Sequence, residues 1–252
     1  MKYQIIVADC PWAARDNLTM SAVPRGASSN YDTMDVATLS ALPVEQLADP
    51  DGCILALWCL GSMLPEALAV MNAWNFTNKQ TYVWAKTKKE PLAQISDVVR
   101  ETLASFDAGL EQKDFTSPGA ILNSAAIKKL RKMISSNVDA YKTKLTEMLG
   151  FGMGHIFRQT HEICLIGINN TSIYKKITNK SQRSVCFANN EGHSIKPEVF
   201  QDSLEKLFEG QDINKCELFG RRTRAGWDVV GNECPDSMNE DIIESINRLI
   251  QK

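Results

Sequence analysis

Asp9, Cys10, Pro11 and Trp12 follow, one alanine later, on Tyr3 to Val7, a mostly apolar and partly β-branched run that fits a buried strand. A carboxylate, a main-chain carbonyl and an aromatic plate delivered together at a strand end suit one chemical problem, which is making an exocyclic amine on a nucleobase attack an electrophile. The lone pair of such an amine is delocalised into its ring. Two acceptors, the Asp9 carboxylate and the Cys10 carbonyl, would pull the nitrogen toward tetrahedral geometry and stabilise the positive charge that develops there. Trp12 would stack on a base splayed out of its strand. Pro11 stiffens the loop and biases Cys10 toward an extended backbone. Taken alone, Asp-x-Pro-Trp is equally a strand-to-loop corner with a core tryptophan.

The elements that must hold this loop alternate in type. Cys53 to Leu60, Thr81 to Lys86, His161 to Ile168, Ser184 to Phe187, Lys215 to Phe219 and Trp227 to Val230 have strand character. Helical spacing marks a segment from Asp35 through Leu42, another near Glu66 to Trp74 opened by Pro65, Ser194 to Phe208 with Pro197 in its first turn, and a terminal stretch of roughly 236–250. Strands alternating with helices predict an α/β fold with a doubly wound, mainly parallel sheet, whose ligands sit beyond the carboxyl ends of the strands. Residues 13–33 form a long loop beside the first strand end, in the place of a lid. Residues 87–150 change in texture to charged, helix-favouring sequence, read as two helices of about 92–112 and 121–149. The chain is expected to be a single domain over 1–252 with 87–150 as a helical insertion.

Lys plus Arg total 28 against 30 for Asp plus Glu, which excludes a bulk polycation and leaves room for a local basic patch. The strongest concentration lies in 121–149, where Lys128, Lys129, Arg131, Lys132, Lys142 and Lys144 face only Asp139 and Glu147. A second group, Lys175, Lys176, Lys180 and Arg183, follows the His161 strand. Seven scattered cysteines without a Cys-x-x-Cys pair, and three histidines, argue for reduced thiols and against a metal site. The opening residues are too short and too quickly acidic for a signal peptide, and no apolar run approaches a membrane span of roughly 18 residues. A cytoplasmic enzyme with no membrane partner is expected.

At this point the residues resemble the MT-A70-like N6-adenine methyltransferases, whose Asp-Pro-Pro-Trp signature stands here as Asp9-Cys10-Pro11-Trp12. The resemblance continues in order through Tyr31-Asp-Thr-Met34, Ala56-Leu-Trp58 and Val83-Trp84-Ala-Lys86. It resumes at Phe157-Arg158-x-x-His161-Glu162 with Leu165-Ile-Gly167 and at His193-Ser-Ile-Lys196-Pro197-Glu198. Glu217-Leu-Phe219-Gly-Arg221, Gly226-Trp227-Asp228 and Gly231-Asn232 close it. Everything except 87–150 is covered. The resemblance implies a class I, Rossmann-like methyltransferase fold, permuted so that the catalytic strand comes first, with S-adenosylmethionine as cofactor. It also implies roles. Asp9, Cys10, Pro11 and Trp12 carry catalysis, and Tyr31 shapes the target-base pocket. Lys196 grips the methionine carboxylate, Asp9 touches the methionine amine, Arg221 reads the ribose, and Asn232 with Glu233 reads the adenosine. Cys10 replaces the family's proline, and because the acceptor is a backbone carbonyl, activity is expected to persist.

The partner implied is nucleic acid, with Lys128, Lys129, Arg131, Lys132, Lys175 and Lys176 as phosphate contacts. DNA is favoured over RNA, because compact members without RNA-binding appendages resemble bacterial and phage enzymes. Three alternatives stand beside this one: an RNA adenine methyltransferase, an inactive homologue serving as a nucleic-acid-binding or scaffold subunit, and a small-molecule methyltransferase. Self-association or a heteromeric partner is left open. Cys10 as a nucleophile toward cytosine is disfavoured because the proline follows the cysteine. Gly150-Phe-Gly-Met-Gly154 mimics a nucleotide loop but follows a charged helical pattern where a strand is required, and reads better as a helix end and hinge. His161 and Glu162 read as structural, and Trp58, Trp74 and Trp84 as core.

Overall fold

A computed structural model describes residues 1–13, 33–88, 147–150, 152, 156–190 and 195–252. The elements are β1 (Ile5–Ala8), α1 (Val36–Ser40), β2 (Ile54–Cys59), α2 (Leu64–Ala73), β3 (Thr77–Thr87), β4 (His161–Ile168), α3 (Ile173–Lys176), β5 (Val185–Asn189), α4 (Glu198–Lys206), β6 (Lys215–Leu218), β7 (Asp228–Val230) and α5 (Ile242–Gln251), with short 3-10 turns between some of them. The strands form a seven-stranded sheet in the order β5-β3-β4-β2-β1-β6-β7. The expected α/β class is therefore observed. Among the described residues, no helix is long and apolar enough to cross a membrane.

β1 pairs in parallel with β2 on one side and with β6 on the other, and β6 pairs in parallel with β7. β4 runs antiparallel to β2, with Cys59 opposite Ile163. That reversal matters for function, because it brings the start of β4 to the carboxyl end of β2. Alternate side chains of the central strands separate into two layers. Ile6, Ala8, Leu55, Leu57, Cys59 and Leu218 join Leu39, Val70, Met71, Ile246 and Leu249 from α1, α2 and α5, and Trp74 just after α2, in one buried cluster. On the other face Trp58 meets Phe200 of α4 edge-on at 4.8 Å between ring centroids, and Tyr82 meets the same ring at 4.7 Å. Helices thus cover both faces, which is why β1 and β2 are buried at every residue. Trp58, Trp74 and Trp84 are each about 1% exposed, core residues as read from sequence. The seven cysteines are all free and buried.

Element ends follow local chemistry. Asp35 caps α1 by accepting from the Thr38 amide at 2.7 Å. The last helix starts later than the expected 236 because Asp241 accepts from the amides of Ile243 and Glu244. The helix at Ser194 to Phe208 starts only after Pro197, which caps it in an extended conformation. β3 begins at Thr77, earlier than expected, because Thr77 to Gln80 are exposed polar residues held by strand pairing that no apolar pattern announces.

Two compact units are distinguished. The first comprises 1–84, 161–186 and 194–252, and the second 85–160 with 187–193. In the described part of the second unit, Thr87 bridges Leu149 and Gly152 bridges Gln159, both antiparallel. A side chain at Gly152 would meet the Gln159 carbonyl oxygen at 2.7 Å, so this glycine serves close backbone pairing. The expected helices at 92–112 and 121–149 lie almost entirely outside the described residues.

Candidate active site

β1 is flanked by a parallel neighbour on either side, so the crevice beyond its carboxyl end is where an open α/β sheet binds ligands. Asp9 is the first residue of that crevice, its amide held by the Leu218 carbonyl at 3.3 Å. Its Oδ2 lies 2.7 Å from Lys196 Nζ, and Lys196 is also 3.3 Å from Glu162 Oε2. The three side chains are 20%, 9% and 16% exposed. The Trp58 ring lies 5.6 Å from the same ammonium, within cation–π range. Despite burial, which alone would lower it, the Asp9 and Glu162 carboxylates hold the Lys196 pKa above its ordinary value. Burial pushes Asp9 up, opposed by Lys196.

The rest of the Asp9-Cys10-Pro11-Trp12 loop is pinned. The Cys10 carbonyl accepts from the Trp12 amide at 2.9 Å, and the Pro11 carbonyl accepts from the Met34 amide at 2.8 Å. A carbonyl has two lone pairs, so Cys10 retains one for a ligand. Burial drives the Cys10 thiol well above its ordinary range, consistent with an inert side chain and not a nucleophile. Trp12 is 5% exposed, packs into the core, and donates its indole N–H to the Trp58 carbonyl at 2.9 Å. The ring is thereby anchored, because an apolar ring beside buried β-strands gains more from the core than from water.

Opposite Asp9, the loops after β6 and β7 close a cleft of about 280 Å³, whose lining includes Asp9, Lys196, Gln201, Glu217, Arg221 and Glu233. That volume lies near the lower end of small-molecule sites, ~300–1,000 Å³. Two glycines allow the loops to meet. A side chain at Gly231 would lie 2.2 Å from the Gly220 carbonyl oxygen, and one at Gly220 would lie 2.3 Å from Val229 Cγ1. Phe219, between strand and glycine, takes a left-handed backbone with φ of 64°. Arg221 and Glu233 face each other at 3.4 Å. Asn232 is exposed on the same turn, its carbonyl accepting from the Asn239 amide at 3.1 Å.

Sequence reasoning assigned no role to Glu217 and Gln201, which line this cleft, and set Glu162 aside as structural. Gln201 donates to Glu217 Oε2 at 3.2 Å, while its own buried Oε1 has no hydrogen-bond partner among the described residues. Burial raises the Glu217 pKa. An acid between the two buried apolar residues of β6, Cys216 and Leu218, is the available signal.

Lys175 and Lys176 are not brought to this crevice. Lys176 pairs with Asp49 at 3.0 Å, and Asp49 accepts from Gln4, at the amino-terminal end of β1. That is roughly 16 Å of strand away from Asp9. The antiparallel run of β4 carries the chain to the opposite end of the sheet, which sequence spacing does not reveal. Tyr31, Lys128, Lys129, Arg131 and Lys132 lie outside the described residues.

Fold and site together define an α/β protein with a ligand crevice at the carboxyl end of its first strand. The MT-A70 family profile matches residues 3–107 and 121–233, and the chain belongs to that family. It is also similar to the type II methyltransferase M.MunI of Mycoplasma sp, at 25% identity over 254 residues, covering 95% of this chain and 81% of the relative.

Proposed function

We propose that this methyltransferase moves a methyl group from S-adenosylmethionine to N6 of adenine in nucleic acid, DNA before RNA. The observation that carries the proposal is the Asp9 carboxylate at the strand end, beside the Cys10 carbonyl and paired with Lys196 at 2.7 Å.

The cleft suits the cofactor's chemistry. An amino-acid end needs a cation for its carboxylate, which Lys196 provides, and acceptors for its amine, which Asp9 and Glu217 provide. Gln201 Oε1, which has no partner among the described residues, is a further buried acceptor for a ligand donor. Gly220 and Gly231 let the two loops approach closely, and Arg221, Asn232 and Glu233 on those loops offer hydrogen bonds to a ribose and base. When bound, S-adenosylmethionine supplies an electrophilic methyl on a sulfonium. Asp9 and the Cys10 carbonyl accept from the two hydrogens of the target amine, leaving its lone pair free to attack, and stabilise the positive charge on nitrogen. Asp9 is the group placed to take the departing proton. Trp12 acts by fixing the loop against the Trp58 carbonyl. Contact of the basic residues Lys128, Lys129, Arg131 and Lys132 with phosphate belongs to the same proposal, on the strength of their clustering in the chain.

The test is transfer of labelled methyl groups to adenine-containing DNA and RNA by wild type and Asp9→Ala. Loss of about 100-fold or more in the variant is expected, in line with removal of a group aimed at developing charge. Equal activity in the two proteins removes the assignment. Labelling of RNA alone transfers the substrate from DNA to RNA.

A further inference from the structure

Asp9 has more claims on it than the cofactor's amine. It holds Lys196 at 2.7 Å, yet on the proposed function it must also accept a hydrogen bond from the target amine. The Lys196 side chain is only 9% exposed, and an ammonium so enclosed cannot lose its carboxylate without losing its proton or its place. A second carboxylate is already in position. Glu162 Oε2 lies 3.3 Å from Lys196 Nζ, itself only 16% exposed. It stands near the start of β4, adjacent to the pair formed by Ile163 and Cys59 at the carboxyl end of β2. Six consecutive residues of β4, from Ile163 to Ile168, are in register with β2, so Glu162 comes from a rigid strand where Asp9 comes from a loop.

We propose that Glu162 is the positioning residue that keeps Lys196 charged and aimed into the cleft when Asp9 turns to the target amine. The cofactor carboxylate and the target amine are then served by different members of one linked set, Lys196 and Asp9, and Glu162 permits their separation. This rests on the reading that Lys196 holds the cofactor carboxylate. The charged groups acting on Lys196 are Asp9 from the loop after β1 and Glu162 from β4; Lys196 in turn acts on the buried thiols Cys10 and Cys164, Glu162 and Arg221 act on Asp9, and Asp9 acts on Glu217. Glu162 is therefore the carboxylate other than Asp9 that holds the lysine's proton.

Calorimetric binding of S-adenosylhomocysteine across about pH 7 to 10 tests this on the full chain, with wild type, Glu162→Gln, Glu162→Asp and Lys196→Met. Glu162→Gln is expected to bind about tenfold more weakly near neutrality, and its affinity to fall away at lower pH than that of wild type, because Lys196 gives up its proton earlier. Glu162→Asp, which keeps the charge but draws it back by one methylene, should lie between the two, so the outcome does not hang on the glutamine variant folding. Wild-type affinity and pH profile in a folded Glu162→Gln protein overturn the proposal. So does weaker binding with an unshifted profile, which is the mark of a merely structural role. Absence of binding by wild type, or undiminished binding by Lys196→Met, instead brings down the cofactor assignment on which the proposal stands.

Discussion

Cys10 shows how little of a side chain a site can use. Its thiol is buried and held protonated, and on the proposed function its carbonyl, which also accepts from the Trp12 amide, is the part that serves the reaction. Cys10→Pro is accordingly expected to retain methyl transfer, measured as initial rate against wild type; complete loss would assign the thiol a role. Trp12 teaches the reverse lesson. The aromatic type is legible in sequence, but whether its face meets a base or the core depends on what stands above it. Here the indole N–H reaches the Trp58 carbonyl, 46 positions along the chain.

At the scale of elements, the site is a meeting of strand ends and loops: those after β1, β6 and β7, the start of β4, and the segment leading into α4. The meeting depends on close backbone approach at Gly220 and Gly231. Gly231→Ala is expected to cost about 1–3 kcal/mol in stability, read as a lower denaturant midpoint, because its Cβ would fall 2.2 Å from a carbonyl oxygen that has no room to retreat. Sequence exposed the strands wherever apolar residues ran together, and His161–Ile168 was legible to the residue. The polar start of β3 was not, because pairing, and not composition, makes those residues a strand.

For the whole molecule, two groups of acids pull stability in opposite directions. Asp228 is held below its ordinary pKa of 3.8 and Glu205 below 4.5; burial opposes this in both, outweighed by Lys252 and Tyr3 for Asp228 and by Trp227 and Lys215 for Glu205. They contribute stability above those values and lose it as pH falls through their lowered folded pKa values. Glu217, raised above 4.5 by burial, has the opposite sign: ionising it costs the folded state stability as pH rises through its folded pKa. Glu217→Gln is therefore expected to raise the thermal midpoint near neutral pH, with the gain vanishing as pH falls below about 4.5. A midpoint unchanged or lowered at neutral pH would show that Glu217 is not strained in the folded protein.

Read alone, the chain determines the strand-to-loop signature at Asp9 to Trp12, the ordered blocks that mark the MT-A70 family, the alternation of strands and helices, and the identity of the core tryptophans. These are local patterns of polarity and residue type, and they survive without a partner. Tertiary structure alone decides that β4 runs backwards, that Glu162 therefore reaches Lys196, that Lys176 is drawn to Asp49 at the far end of the sheet, and that Trp12 is an anchor. Each of these joins residues from 34 to 127 positions apart, or fixes a direction of travel. Neither distance across the fold nor strand sense is written in any window of sequence.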